Sequence, residues 1–252
     1  MVGRASALLA RAGRRGLAFA ALSSALAAYY AWSESLPDVE TWPEIAFLSL
    51  VLIPAVFGLV YFALPLWSAR GLFPVGLAFG VLAVVLTLAE LDTLANFAKL
   101  AAVSLVAFWF LSYFETVAWV VLVATIVPVV DSISVWRGPT HHIVTEKPEI
   151  FTTFSFAFPI PGEHNSMNLG LPDLLFFALF LAACARFGLR TEWTWLAMVL
   201  SFGATLTIAV ASDVNGLPAL PLLCLGFFAP NVDLLWRKVG PSRPRATASA
   251  PD

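Results

Sequence analysis

The sequence has little charge for its length. It contains 14 Lys+Arg and 16 Asp+Glu residues, which is 12% of 252, about half the roughly 25% typical of soluble domains. Hydrophobic residues reach 60%. A water-soluble domain of this composition lacks the polar residues to cover its surface, and intrinsic disorder requires low hydrophobicity with high charge. The scarcity of charge therefore excludes an ordinary soluble enzyme and predicts a multi-pass membrane protein.

Cysteine and histidine are also scarce. Cys184 and Cys224 both lie within apolar runs, where cysteine packs as a small hydrophobic side chain. His141 and His142 are adjacent, so their side chains diverge, whereas a metal site needs converging ligands. The net charge of −2 gives no support for nucleic-acid binding. We therefore expect no metal, no cofactor and no nucleic-acid partner.

Apolar runs of about 20 residues, the length that crosses a bilayer, occur at eight places. These are 16–33, 45–67, 71–89, 94–113, 116–136, 172–189, 193–212 and 217–236. The predicted fold class is an all-α polytopic membrane protein with a bundle of about eight, or nine, transmembrane helices. The first 33 residues also resemble a signal peptide, but an uncleaved first span is the favoured interpretation.

The positions of the basic residues predict the orientation. With eight spans and an inside N-terminus, eleven of the fourteen Lys+Arg residues fall on the cytoplasmic side, as the positive-inside rule requires. Both termini are then cytoplasmic, and the long loop 137–171 lies on the outer side.

Two aspartates stand within or at the start of predicted spans, where ionisable residues are costly. Asp131 lies about one turn before its helix ends outside, and Asp173 follows Pro172 where the next helix begins on that same face. If these helices pack side by side, the two carboxyl groups share one proton, because two neighbouring carboxylates repel each other. One carboxylate then acts as a base toward water while the other polarises a carbonyl group. The structural alternative is that Asp131 reaches water and Asp173 favours the helix start.

A third unusual segment, Gly216-Leu217-Pro218-Ala219-Leu220-Pro221, opens the last span on the outer side. Its two prolines remove backbone donors and prevent a regular helix start. Irregular backbone at membrane depth is tolerated where it lines a cavity or meets a ligand. Three unusual elements are thus predicted to meet on one membrane face.

These elements, in this order, resemble the signature of presenilins and signal peptide peptidases, which are GxGD-type intramembrane aspartyl proteases. The resemblance covers roughly residues 116–237 and is to a presenilin-like homologue of the prokaryotic type. It implies that Asp131 and Asp173 are the catalytic pair, acting on transmembrane proteins or peptides within the lipid bilayer. It also implies substrate-binding roles for Gly170, Leu171, Pro172, Pro218, Ala219 and Leu220. The domains are then N-terminal helices over 1–115, a catalytic core over 116–237 and a disordered cytoplasmic tail over 238–252.

The segment 151–158 lies between the two aspartate-bearing helices and is rich in β-forming residues. An extended chain places Phe154, Phe156 and Phe158 on one face. We hypothesise that this segment offers a strand edge to the substrate, with Phe154 and Phe156 in contact with it. The alternative is a loop that rests on the bundle.

The sequence departs from the family pattern at two positions and in its span count. Val130 stands where the family usually has Tyr, Pro172 replaces the second Gly of the GxGD motif, and eight spans are counted where nine are usual. A catalytically weak or inactive helix-binding protein therefore remains an alternative. A transporter that uses buried acids is another, although the spans show no internal repeat.

Two further charged residues have predicted partners. Lys99 lies within a span and is expected to pair with Glu115 or to extend to water. Asp233 is expected to meet the basic pair Arg237-Lys238.

Overall fold

The computed structural model describes residues 2–137, 153–212 and 217–239. Helices and one hairpin account for nearly all of these residues. In chain order they are α1 (Val2–Trp32), α2 (Thr41–Phe47), α3 (Ile53–Ala63), α4 (Leu72–Leu88), α5 (Asp92–Leu111), α6 (Val117–Arg137), β1 (Ser155–Pro159), β2 (Ser166–Gly170), α7 (Leu171–Phe187), α8 (Thr191–Ala211), α9 (Leu220–Phe228) and α10 (Val232–Val239). A π-helical turn, Leu48–Leu52, joins α2 to α3.

Each of the eight predicted segments lies on helical structure. Four helical stretches in the described part of the chain are long and apolar enough to cross a membrane, and Leu72–Leu88 is a shorter apolar helix. The four are Thr41–Ser68, Asp92–Leu111, Val117–Val135 and Thr191–Ala211. The structure is therefore compatible with an all-α membrane protein, while the number of spans stays a prediction.

The last predicted span is not one continuous helix. It divides into the nine-residue α9 and the shorter α10, with Pro230 and Asn231 between them. Asn231 is buried, and its side-chain nitrogen donates to Phe227 O at 2.9 Å and to Thr194 Oγ1 at 2.6 Å. Because proline lacks a backbone donor and the asparagine amide binds neighbouring groups, the chain leaves the helix here.

Helix α7 lies at the centre of the described bundle. Its residues from Phe177 to Cys184 are fully buried, as expected for a helix that is apolar on every side. Phe57 stacks on Phe177 at 4.1 Å between ring centroids, and Phe180 stacks on Phe227 at 4.9 Å. Helices α5, α6, α8 and α9 all pack against α7. The first turn of α7 is thereby fixed by its neighbours.

The predicted β-forming segment is a strand over Ser155–Pro159. It pairs antiparallel with β2, in a register that sets Ser155 opposite Gly170 and Phe156 opposite Leu169. Phe156 and Phe158 share the buried face, with their ring centroids 4.9 Å apart. Phe154 precedes the strand and is 65% exposed, so the predicted common face holds two of the three phenylalanines. Residues 151 and 152 lie outside the described residues.

Candidate active site

Asp131 lies near the end of α6 and is partly buried. Its Oδ2 atom accepts a hydrogen bond of 3.1 Å from the backbone N–H of Leu220. Leu220 is the first residue of α9, and an N–H group at this position has no acceptor within its own helix. The amino end of a helix also carries partial positive charge. The start of α9 is therefore a favourable partner for a carboxylate.

The Pro218-Ala219-Leu220 segment explains why this N–H faces Asp131. All three residues are buried, and Ala219 caps α9 by accepting a bond from Leu223 N at 3.1 Å. Pro221, at the second helical position, has no N–H group. In the structure, Leu220 of this motif lies beside Asp131. Its role toward a substrate stays a prediction.

Asp173 is the third residue of α7, and its carboxyl group lies close to the backbone of Gly170. An acidic residue in the first turn of a helix is favoured by the partial positive charge at the helix amino end. A Cβ atom at Gly170 would lie 3.2 Å from Asp173 Oδ2. Glycine therefore gives the carboxyl group room to fold back onto the strand end.

Pro172, which departs from the family motif, occupies the second position of α7. A proline is tolerated there, because the missing N–H group would have had no partner in the helix. Pro172 is exposed and Leu171 is half-buried. The replacement of glycine by proline is thus accommodated by the helix start. Val130 is 59% exposed on α6, beside the inward-facing Asp131.

The two aspartates are close enough to interact electrostatically. They come together because α9 packs against α6, and because both helices pack against α7. Cys224, one turn after Leu220 on the same face of α9, is buried and also close to the Asp131 carboxyl group. Residues four apart in a helix share a face, so the sequence spacing of Leu220 and Cys224 could have placed Cys224 on the side of α9 that faces Asp131.

The hairpin reaches the site through β2, which ends at Gly170 where α7 begins. The two strands have different outer edges. Side chains from α5 bind the outer edge of β1: Asn96 Nδ2 donates to Ala157 O at 3.0 Å, and Lys99 Nζ donates to Ser155 O at 3.1 Å. Tyr30 OH of α1 also donates to Ala157 O, at 2.8 Å. The hypothesis that the 151–158 segment offers a free edge is therefore wrong for β1.

The outer edge of β2 is different. The register places the backbone of Asn168 on the side away from β1. Within the described residues, no protein group binds the outward N–H and C=O of Asn168. This edge leads directly to Gly170 and Asp173.

Several predicted residue roles change in the structure. Phe156 is 0% exposed and lies in the core, so in this structure it has no surface to offer a substrate, whereas Phe154 does. Lys99 binds Ser155 O rather than Glu115. The sequence prediction did not include Asn96. A polar residue inside an apolar helix indicates that its side chain has a specific partner, so the sequence did contain a reason to consider it.

Asp233 also has a different partner from the predicted one. Arg190 binds it through two nitrogens, at 2.6 and 2.9 Å, in place of the Arg237-Lys238 pair.

Among residues 2–137, 153–212 and 217–239, no group of three or more His, Cys, Asp or Glu side chains has the arrangement of a metal site. No family model, curated protein or solved structure matches the chain. The fold and site define a helical bundle, compatible with a membrane protein, that holds two neighbouring aspartates at one end.

Proposed function

We propose that the protein is an intramembrane aspartyl protease that hydrolyses peptide bonds within transmembrane segments. The observation that carries this proposal is the meeting of Asp131, Asp173 and the start of α9 at one place. Asp131 and Leu220 are 89 positions apart, so only the fold brings them together. The same three elements carry the resemblance to presenilins and signal peptide peptidases.

The chemistry assigned to the pair is general acid–base catalysis. One aspartate, ionised, takes a proton from water as the water oxygen attacks the carbonyl carbon of the peptide. The other aspartate, protonated, donates to the carbonyl oxygen. Collapse of the tetrahedral intermediate breaks the C–N bond, the proton taken from water passes to the leaving nitrogen, and one hydroxyl proton of the intermediate returns to the second aspartate. The backbone N–H group of Leu220 orients the carboxyl group of Asp131.

The substrate binds in this proposal as an added strand on the outer edge of β2. A peptide bond in a helix is shielded by its own hydrogen bonds and must be extended before attack. Asn168 has an outward backbone N–H and C=O that such a strand would pair with, and it lies five residues before Asp173. The carbonyl oxygen of Phe154 accepts from Leu171 N at 3.2 Å, which places Phe154 at the end of the hairpin where α7 begins. Its side chain is 65% exposed and can contact a substrate there.

The proposed orientation has both termini in the cytoplasm and the 137–171 loop on the outer side. Its support is the concentration of basic residues in the segments assigned to the inside. This orientation resembles that of signal peptide peptidases rather than presenilins. It favours substrates whose N-termini are cytoplasmic.

The test is cleavage of a transmembrane peptide by the purified protein in liposomes, with products identified by mass spectrometry. Asp131→Asn and Asp173→Asn preserve side-chain size and remove the acid–base function, so each should lower the rate by about 10²- to 10⁴-fold. Glu115→Gln, at an exposed acid just before α6, is the control and should retain activity. Cleavage that persists in both Asp variants would exclude the paired-aspartate mechanism.

A second candidate, a non-catalytic protein that binds transmembrane helices, has one observation in its favour. Asp173 lies in the first turn of α7, where a carboxyl group stabilises a helix start without any role in chemistry. In the same experiment, this candidate is supported if the wild type binds the peptide without cutting it and Asp173→Asn lowers the melting temperature.

A further inference from the structure

The outer edge of β1 is closed by side chains rather than by a third strand. Its outward carbonyl groups are those of Ser155, Ala157 and Pro159. Each accepts a hydrogen bond from a side chain of α1 or α5. The donors are Lys99 Nζ to Ser155 at 3.1 Å, Asn96 Nδ2 to Ala157 at 3.0 Å, Tyr30 OH to Ala157 at 2.8 Å and Tyr29 OH to Pro159 at 2.8 Å.

Asn96 makes the most strand-like of these contacts. Besides donating to Ala157 O, it accepts from Ala157 N–H through Oδ1 at 3.2 Å. A single amide group thus provides both hydrogen bonds that a neighbouring strand would make to one residue. Asn96 is buried, so this pair of bonds is shielded from water. The amide fixes Ala157 at one position along α5 and prevents β1 from sliding.

This fixed position is transmitted to the aspartate site. Ala157 is opposite Asn168 in the hairpin register, and β2 continues without a break into Gly170 and α7. A displacement of the hairpin along α5 would therefore move the open edge of β2 relative to the aspartate pair. Hydrophobic packing of Phe156 and Phe158 holds the face of the hairpin, but apolar contacts are non-directional.

We propose that Asn96 is a positioning residue that sets which peptide bond of an added strand lies opposite the aspartate pair. Tyr30 assists it at the same carbonyl group. The proposal rests on the proposed function, because it concerns the register of a peptide on β2. It assigns Asn96 no contact with the substrate and no share in the chemistry.

The test compares the cleavage positions of one transmembrane peptide in four proteins: wild type, Asn96→Leu, Tyr30→Phe and Ser104→Ala. Leucine matches asparagine in size and removes both hydrogen bonds. Tyr30→Phe removes one hydroxyl and keeps the ring, so it provides a second, milder test of the positioning role if Asn96→Leu does not fold. Ser104 is buried about two turns further along α5 and is the control.

We expect Asn96→Leu to raise the ratio of products cut at neighbouring bonds to the main product by about fivefold, and Tyr30→Phe to raise it less. Ser104→Ala should leave the ratio unchanged. A purely structural role would lower the melting temperature and the amount of active enzyme but would not move the cleavage position.

Failure of the positioning role of Asn96 and failure of the protease function give different results. If the wild type cleaves, the Asp variants do not, and the product ratio is unchanged in Asn96→Leu and Tyr30→Phe, the positioning role is wrong and the protease function stands. If Asn96→Leu does not fold, an unchanged ratio in Tyr30→Phe alone overturns the role. Absence of cleavage by the wild type counts against both.

Discussion

Leu220 donates its backbone N–H to Asp131 across 89 positions of sequence, at 3.1 Å. This bond connects the start of one helix to the end of another, and it is the direct link between the Pro-Ala-Leu segment and the aspartate site. A hydrogen bond to an ionised group contributes more than one between neutral groups. The bond therefore orients the carboxyl group and stabilises its charge.

Removing this N–H group should lower activity. Leu220→Pro deletes the donor at the first position of α9, and it also removes a buried side chain and follows Ala219, whose αR backbone a proline disfavours. The rate of peptide cleavage is therefore taken per folded molecule, and we expect it to fall by about 10- to 100-fold. The matched control is Leu222→Pro, which places proline in the same first turn of α9 and leaves the Leu220 donor in place. Equal losses in the two variants would show that the helix start, and not the hydrogen bond, is what matters.

Substitution of Gly170 should lower activity without lowering stability, and substitution of Gly188 should do the reverse. At Gly170 the backbone has φ −58° and ψ 139°, which alanine adopts readily, but its Cβ would lie 3.2 Å from Asp173 Oδ2. We expect Gly170→Ala to lower the cleavage rate by roughly 10-fold or more, since a small displacement of a catalytic group is costly. The free energy of unfolding should stay unchanged or rise by about 0.4–1 kcal/mol.

Gly188 provides the contrast, since it ends α7 with φ 62°. Alanine is strained in this left-handed conformation, so Gly188→Ala should destabilise the protein by about 1 kcal/mol. The rate per folded molecule should be unchanged, because Gly188 is at the opposite end of α7 from Asp173. Thermal melting in detergent, combined with active-site titration, measures both quantities. A normal cleavage rate in Gly170→Ala would contradict the close-approach argument.

Alanine at Phe156 should lower stability, whereas alanine at Phe154 should weaken substrate binding. Phe156 is fully buried against Tyr30 and Phe158, so Phe156→Ala should cost about 3–5 kcal/mol of folding free energy. Phe154 is 65% exposed, so Phe154→Ala should change stability by no more than about 0.5 kcal/mol and raise KM. Unfolding and steady-state cleavage assays distinguish the two effects. An unchanged KM in Phe154→Ala would remove this residue from the substrate site.

The helix positions followed from the sequence because a run of about 20 apolar residues is a local signal. The meeting of Asp131 with the start of α9 could be anticipated only through the order of motifs that carries the family resemblance. The break at Pro230-Asn231 had a signal, since Pro next to Asn marks a turn, but the apolar run on both sides favoured one long helix.

The hairpin could be predicted only in part. Residues 151–158 have the composition of a strand. Ser166–Gly170 alternates polar and apolar residues, but it is only five residues long and contains no β-branched or aromatic side chain, so nothing in the sequence indicates that it pairs with β1. The partners of Asn96 and Lys99 are 61 and 56 positions away, so no local pattern identifies them. A polar residue in a span indicates that a partner exists, and only the tertiary structure shows which one.

Arg190 and Asp233 join the start of α8 to α10, which lies outside the candidate spans. The hydrogen bonds from Arg190 and its positive charge lower the pKa of Asp233 below the ordinary value. A carboxyl group with a lowered pKa stabilises the folded protein above its unfolded-state pKa, about 3.9. This contribution is lost as the pH falls through the lower, folded-state pKa.

Asp233→Asn should therefore lower the melting temperature slightly at neutral pH, because exposed ion pairs contribute little. The difference from the wild type should shrink as the pH falls below about 4. Arg237→Gln is the control: it removes a residue of the sequence-predicted partner pair and should leave the effect of Asp233→Asn unchanged. The measurement is thermal melting as a function of pH for six proteins: wild type, Asp233→Asn, Arg237→Gln, Arg190→Gln, and the two double variants that combine Asp233→Asn with each arginine change. If Arg237→Gln abolishes the Asp233 effect and Arg190→Gln does not, the ion pair observed between Arg190 and Asp233 is not the one that stabilises the fold.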